Sequence, residues 1–201
     1  MNAASNIFES TAQRQFWVWV DETDLMTHHN MNVVGSFCST PSSTVYETLM
    51  FIPNPNFHGF ISPFQNNLMR NYAADYNLEL ARRARFRNYP CRLNAIFLLD
   101  SEEDALTYKN KNPQHVEGRI LARGTTNGPY CFSRHDSAWV NFLRVPHMMS
   151  PEDIHSWTDA YWSGRTAQDR QLMSCGKPWT QDCATEILFI GRLDFESQLN
   201  A

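Results

Sequence analysis

Long apolar runs are missing from the sequence. The longest aromatic and aliphatic stretch, Phe16-Trp17-Val18-Trp19-Val20, is far too short to cross a bilayer. The opening MNAASNIFES has neither a basic start nor an apolar centre, so no secretory leader is expected and the expected compartment is the cytoplasm. A large excess of one charge is also missing. With 17 Lys+Arg against 21 Asp+Glu the net charge is −4, which argues against a surface wholly devoted to nucleic acid. The five cysteines (Cys38, Cys91, Cys131, Cys175, Cys183) are odd in number and irregularly spaced, which suits reduced thiols better than a disulfide framework. Neither G-x-x-x-x-G-K-[ST] nor G-x-G-x-x-G occurs, so a P-loop or a standard dinucleotide fold is not expected. The nucleophile elbow G-x-S-x-G is absent too. There is no repeat, low-complexity tract or linker, so the 201 residues read as one domain, 1–201, large enough to bury a core.

Aromatics are abundant: 6 Trp, 7 Tyr and 13 Phe, enough to fill a core and still wall a pocket for a flat ring. Residues 16–20 are β-formers and predict a buried strand. Residues 1–15 are polar and read as frayed or weakly helical. The stretch 21–63, rich in Asn, Ser, Thr and Pro, reads as long loops with one or two strands or a short helix. Leu68, Met69, Tyr72, Tyr76, Leu80 and Ala84 recur at three-to-four spacing and predict a helix over 65–87, ended by Pro90. Residues 93–99 predict a strand. Asp100-Ser101-Glu102-Glu103 then opens a helix, with a cap and acids in its first turn. A strand is expected over 116–122, a loop over 124–129, and short helices over 135–143 and 151–163, the second with Pro151 at its first position. Residues 164–183 read as loop and Glu186 to Phe195 as the last strand. Helices inserted between strands around a single core indicate α+β.

Three chemical readings come from residue types alone. Cys175 and Cys183, eight apart, with His147 and His155 upstream, are too loosely spaced for a typical structural zinc site, so no metal is expected. His28-His29 reads as a solvated loop pair. A Cys–His nucleophilic pair has no local signature. Arg82, Arg83, Arg85, Arg87 and Arg92 form a basic cluster within eleven residues. It could grip a diphosphate or a nucleic-acid backbone, but is better read as a solvated helix face partnered by Glu79 and other acids.

The segment from Ala95 to Tyr108, AIFLLDSEEDALTY, resembles the strand–helix step of ADP-ribosyltransferases. Thr185-Glu186-Ile187-Leu188-Phe189-Ile190-Gly191 resembles the final strand of that superfamily, which presents the catalytic glutamate. The stretch from Glu79 through Arg92 into Phe97 is similar to an uncharacterised bacterial and phage family placed in this fold. The likeness covers mainly 79–122 and 184–195 in short, permissive patterns. It implies an α+β, ADP-ribosyltransferase-like fold of split antiparallel sheets with helices packed around them. It further implies NAD as substrate, ADP-ribosyl transfer to an unknown protein or nucleic-acid acceptor, or NAD hydrolysis, and a site built from this sequence's own residues. Glu186 would hydrogen-bond the ribose and stabilise the oxocarbenium-like transition state. Phe97, where part of the superfamily has a catalytic Tyr, and Tyr108 would wall the nicotinamide. Arg92 would contact the diphosphate through bidentate bonds.

The first-strand His or Arg has two registers. Phe57-His58-Gly59, 39 residues before Phe97, looks like the His-Gly pair of the poly-ADP-ribose branch; strand 16–20 offers neither residue type. The first is adopted, with His58 as the ribose contact. A different class of function stays open beside this one: a non-catalytic phage-type protein that binds and inhibits or redirects a host protein. Exposed Trp157, Trp162 or Trp179 would favour it.

Overall fold

A computed structural model describes residues 6–39, 63–144, 150–169, 172–174, 177–179 and 185–195. Its centre is a long antiparallel pair, β5 (Ile120–Asp136) and β8 (Thr185–Phe195). Two short strands share the outer edge of β5: β2 (Gln15–Val20) pairs with residues 120–125 and β1 (Ile7–Ser10) with residues 130–133. Two more share the outer edge of β8: β4 (Ile96–Leu98) pairs with residues 187–189 and β3 (Ser36–Ser39) with residues 191–194. Every pairing in this six-stranded sheet is antiparallel. A second, two-stranded sheet pairs β6 (Leu172–Ser174) with β7 (Lys177–Trp179). With six α-helices among the described residues, the protein is an α+β fold.

The sheet divides midway. Asn127 faces Arg192, and the next pair is Cys131 with Ile190, so residues 128–130 of β5 bulge opposite the single residue Gly191. Gly191 has φ 144°, and a Cβ there would lie 2.8 Å from Tyr130 Cβ, so the site admits only glycine without rearrangement. Residues 124–129, expected to be a loop, therefore lie inside a strand. Their turn-forming residues bend β5 at the bulge rather than end it. On the far side, Trp17 and Leu99 exchange backbone hydrogen bonds of 3.0 and 2.8 Å. That bridge joins β2 to the end of β4 and closes a ring β2–β5–β8–β4.

Alternation fills the ring. Phe16, Val18 and Val20 of β2 are buried while Trp17 and Trp19 point the other way. Phe16 meets Phe132 at 5.3 Å and Phe189 at 5.7 Å between ring centroids. Ile187, Leu188 and Phe189 are all fully buried because β8 is covered on both faces. Ile187 and Phe189 face the ring core, and Leu188 packs into a second core with the helices.

That second core is built by α2 (Pro63–Arg85), α5 (Ala138–Arg144) and α6 (Pro151–Trp162). Trp139 and Trp162 are completely buried, and their indole N–H groups donate to the carbonyls of Arg165 and Leu78, each at 2.8 Å. Ser150 caps α6 ahead of Pro151, its Oγ accepting from the Asp153 amide. The helix α3 (Glu102–Lys111) starts where its acids indicate, with Ser101 Oγ accepting from the Asp104 amide at 3.0 Å.

Several expectations are corrected. Residues 7–10 form a strand, because β5 offers them an edge that the local sequence does not announce. Within 21–39 the expected short helix and strand are there, as α1 (Leu25–His29), followed by a π-helical turn ended by Gly35 at φ 73°, and β3. Residues 113–116 form the short helix α4 (Pro113–Val116), so the strand expected from 116 begins at Ile120. The stretch 164–183 contains the β6–β7 hairpin. Among the described residues no helix is long and apolar enough to cross a membrane.

Candidate functional site

The arginine cluster separates into different tasks once folded. Glu79 of α2 is 1% exposed. It accepts two bonds from Arg82, at 2.7 and 2.8 Å, and one from Arg83 at 2.8 Å. Burial opposes its charge, but the two arginines outweigh it and hold the carboxyl below its ordinary range. Arg85 pairs with Asp159 of α6. The acidic partner expected for the cluster is there, but Arg82 is buried rather than solvated. The Cys91 thiol also donates to Glu79, and burial, followed by that carboxylate, pushes its pKa up to about 11. Burial does the same to Cys131. Neither is a thiolate near neutral pH, which removes both as activated nucleophiles.

Arg92 belongs elsewhere. It sits between α2 and β4 and is 7% exposed. Its Nε donates to Asp75 Oδ1 at 2.8 Å, and its Nη1 donates both to the Tyr161 hydroxyl at 2.6 Å and to Glu186 Oε1. The Tyr161 hydroxyl donates onward to the same Oε1 at 2.6 Å. One guanidinium thus joins α2, α6 and the start of β8. Burial disfavours its charge, yet Glu186, Tyr161 and Asp75 together raise its pKa well above the usual value. Burial raises the Tyr161 phenol; Arg92 pulls against this and Glu186 adds to it, so the hydroxyl stays protonated and remains a donor.

Tyr161 is held from behind. The His135 ring stacks on it at 4.3 Å and 17°. His135 Nδ1 lies 2.9 Å from the Tyr161 carbonyl and Nε2 lies 2.7 Å from Ser133 Oγ. The carbonyl can only accept, which assigns the proton to Nδ1. Burial drives this histidine down to about 3, so it is neutral.

Four of the five sequence-proposed residues meet in one cleft of about 450 Å³: Glu186, Arg92, Phe97 and Tyr108. The volume suits a small molecule. Phe97, in β4, is 45% exposed and lies under the Arg92 guanidinium at 5.1 Å. Tyr108, on α3, is half-buried, and its hydroxyl is 3.1 Å from His115 Nδ1. The fifth, His58, lies outside the described residues. Glu186 Oε1 takes both bonds, leaving Oε2 without a partner among the described residues.

The cleft also contains residues that sequence reasoning did not single out. Trp19, His115, Arg119 and Arg144 line it, and Asp75 and Tyr161 anchor Arg92 beside it. One signal pointed to Asp75: it stands four residues before Glu79 and so shares its helix face toward the arginines. Nothing local distinguishes Arg119 or Arg144, which reach the site from a turn and from a helix end.

None of the three tryptophans whose exposure would favour a docking face is exposed. Trp162 is fully buried, and Trp157 and Trp179 pack against the helical core. Among the described residues no group of three or more metal-type ligands occurs; His147, Cys175 and Cys183 fall outside them. No family model matches the chain, and no curated protein matches it.

Proposed function

We propose that this cleft binds NAD and that the protein transfers ADP-ribose to a macromolecular acceptor, or to water, with Glu186 as the catalytic carboxylate. The observation that carries the reading is the meeting of Glu186 with Phe97, Tyr108 and Arg92 in one cleft, from segments up to 94 residues apart. The bulge that divides the sheet and the helices packed on one of its faces are compatible with the split-sheet architecture of ADP-ribosyltransferases, and we read the fold that way.

The chemistry follows from the groups present. Nicotinamide leaves with the electron pair of its bond to ribose C1′, and positive charge spreads over C1′ and the ring oxygen. Glu186 Oε2 accepts a hydrogen bond from the ribose hydroxyl and faces that growing charge. Phe97 and Tyr108 supply aromatic walls for the departing ring. The acceptor, or water, then bonds to C1′ and gives up a proton. Arg92 orients Glu186 through Oε1, and its Nη2, without a partner among the described residues, remains a donor for a phosphate oxygen. A diphosphate that draws the guanidinium toward itself also leaves Glu186 more of its charge for the sugar.

Nicotinamide release from NAD measures the reading directly. The wild-type protein is expected to release it, and Glu186→Gln, which keeps the shape and loses the charge, is expected to slow release by about 100-fold or more. Absence of NAD binding by the wild type overturns the proposal.

A second reading, a non-catalytic binding protein, draws on the ion pair that already neutralises Glu186 and on the missing hydroxyl at Phe97. NAD binding without any turnover would favour it.

A further inference from the structure

We infer that Arg119 and Arg144, together with His115 and the hydroxyl of Tyr108, whose ring face is left to the nicotinamide, form a subsite for the diphosphate of a dinucleotide. The inference rests on the reading of the cleft as an NAD site for the identity of the ligand. The excess of positive charge and hydrogen-bond donors stands apart from that reading.

The carboxylates that line or anchor the cleft itself are already engaged, and Glu117, exposed in the adjoining depression, is not among the cleft's lining residues. Glu186 is held by Arg92 and Tyr161, and Asp75 spends Oδ1 on Arg92. Arg144, the last residue of α5, reaches only Asp75 Oδ2, at 3.7 Å, beyond hydrogen-bond distance. Its Nε is buried with no hydrogen-bond partner among the described residues, and so is the indole Nε1 of Trp19. Both side chains line the cleft. Buried donors without acceptors are uncommon in folded proteins and costly, and a ligand rich in oxygen relieves that cost.

Arg119 adds a second cation. It is exposed in the turn before β5, and its charge acts on Asp21, just after β2. It lines the cleft and also the adjoining depression formed with Lys109, Pro113 and Gly118. Arg144 and Arg119 act on one histidine: burial first, then these two charges, holds His115 below its usual pKa. The Tyr108 hydroxyl and His115 Nδ1 lie 3.1 Å apart, and whichever of the two donates, the pair keeps one further donor, the Nε2 proton or the hydroxyl proton. Three ion-pair steps, Arg144 to Asp75 to Arg92 to Glu186, connect the anion end to the sugar end. Two guanidinium forks with few acceptors of their own match phosphate oxygens.

Inorganic pyrophosphate is the probe, titrated by calorimetry into the full chain, wild type against Arg119→Gln and Arg144→Gln. The wild type is expected to bind, and each variant to weaken binding at least tenfold, while Arg87→Gln, in the exposed turn after α2, leaves it unchanged. ADP-ribose is expected to bind more tightly than pyrophosphate and to lose affinity through the same two substitutions. Circular dichroism confirms that each variant is folded; should Arg144→Gln unfold, Arg119→Gln and a steep fall of affinity with added salt carry the test. Pyrophosphate affinity unchanged in the folded variants overturns the subsite, as does absence of wild-type binding. A single-stranded oligonucleotide that binds through these arginines more tightly than ADP-ribose overturns the dinucleotide. Pyrophosphate binding through both arginines without nicotinamide release leaves the subsite standing and removes the enzyme. Nicotinamide release with the KM for NAD unmoved by either substitution does the reverse.

Discussion

Arg92 lines the cleft and ties the fold together in one side chain. It is the counter-ion of two carboxylates, Asp75 and Glu186, and lies between the Phe97 and Tyr161 rings at 5.1 and 5.4 Å. Removing it takes the main counter-ion from two partly buried acids, leaving Glu186 with the Tyr161 hydroxyl and Asp75 with Arg144 at 3.7 Å. Arg92→Met, which keeps much of the apolar stem, is therefore expected to cost about 3–5 kcal/mol, read from the midpoint of urea unfolding. Arg85→Gln, whose salt bridge with Asp159 is about one-third exposed at both ends, is expected to cost less than about 1 kcal/mol in the same experiment. The five arginines look interchangeable in the sequence. Which of them is buried depends on acids contributed by α2, α6 and β8, and only Glu79 is a near neighbour along the chain. The cleft residues Glu186, Phe97 and Tyr108 could be named in advance by resemblance. Arg119, Arg144 and Tyr161 could not, because arginines and aromatics at helix ends and turns carry no local mark of a cleft.

Strands and helices were legible to the extent that their pattern is local. The helix of residues 63–85 shows its three-to-four spacing, α3 its serine cap and acids, and β8 its apolar run. β5 was not, because Gly124, Asn127, Gly128 and Pro129 have the chemistry of a turn. The partner that keeps them extended is β8, about sixty residues later, which absorbs the irregularity opposite Gly191. Gly191→Ala must take φ 144° with a Cβ 2.8 Å from Tyr130 Cβ, backbone strain and overpacking together. Its expected cost is about 2–4 kcal/mol by urea unfolding. Gly128, with φ 80° but open space around it, is expected to tolerate alanine better, at about 1–2 kcal/mol.

Across the whole molecule, the ring core and the helical core meet at β8, and buried ionisable groups tie them together. His135 packs under Tyr161 with a pKa near 3, against an ordinary 6.5. A group lowered in this way stabilises the fold fully above about pH 6.5, and that contribution is lost as the pH falls toward 3, because the unfolded chain binds the proton first. Stability is expected to drop by about 2 kcal/mol between pH 7 and pH 5 from this residue alone. Glu79 and Asp100, both held below their ordinary values by arginines against the opposing effect of burial, are lost only at lower pH. Thermal unfolding across this range checks the assignment: the slope between pH 6.5 and 5 should flatten in His135→Gln. Local spacing set the identity of the stronger elements, since alternation and helical periodicity act over a few residues. Glu186, Arg92, Phe97 and Tyr108 came forward as candidates through the resemblance of their segments to ADP-ribosyltransferases. That these four share a cleft, that Trp17 closes the sheet on Leu99, and that Arg92 spends its charge on Glu186 came from the fold. Arg92 and Glu186 are 94 residues apart, and no short-range preference spans that distance. Their meeting follows from the antiparallel closure of β4 on β8 and the packing of α2 and α6 beside it.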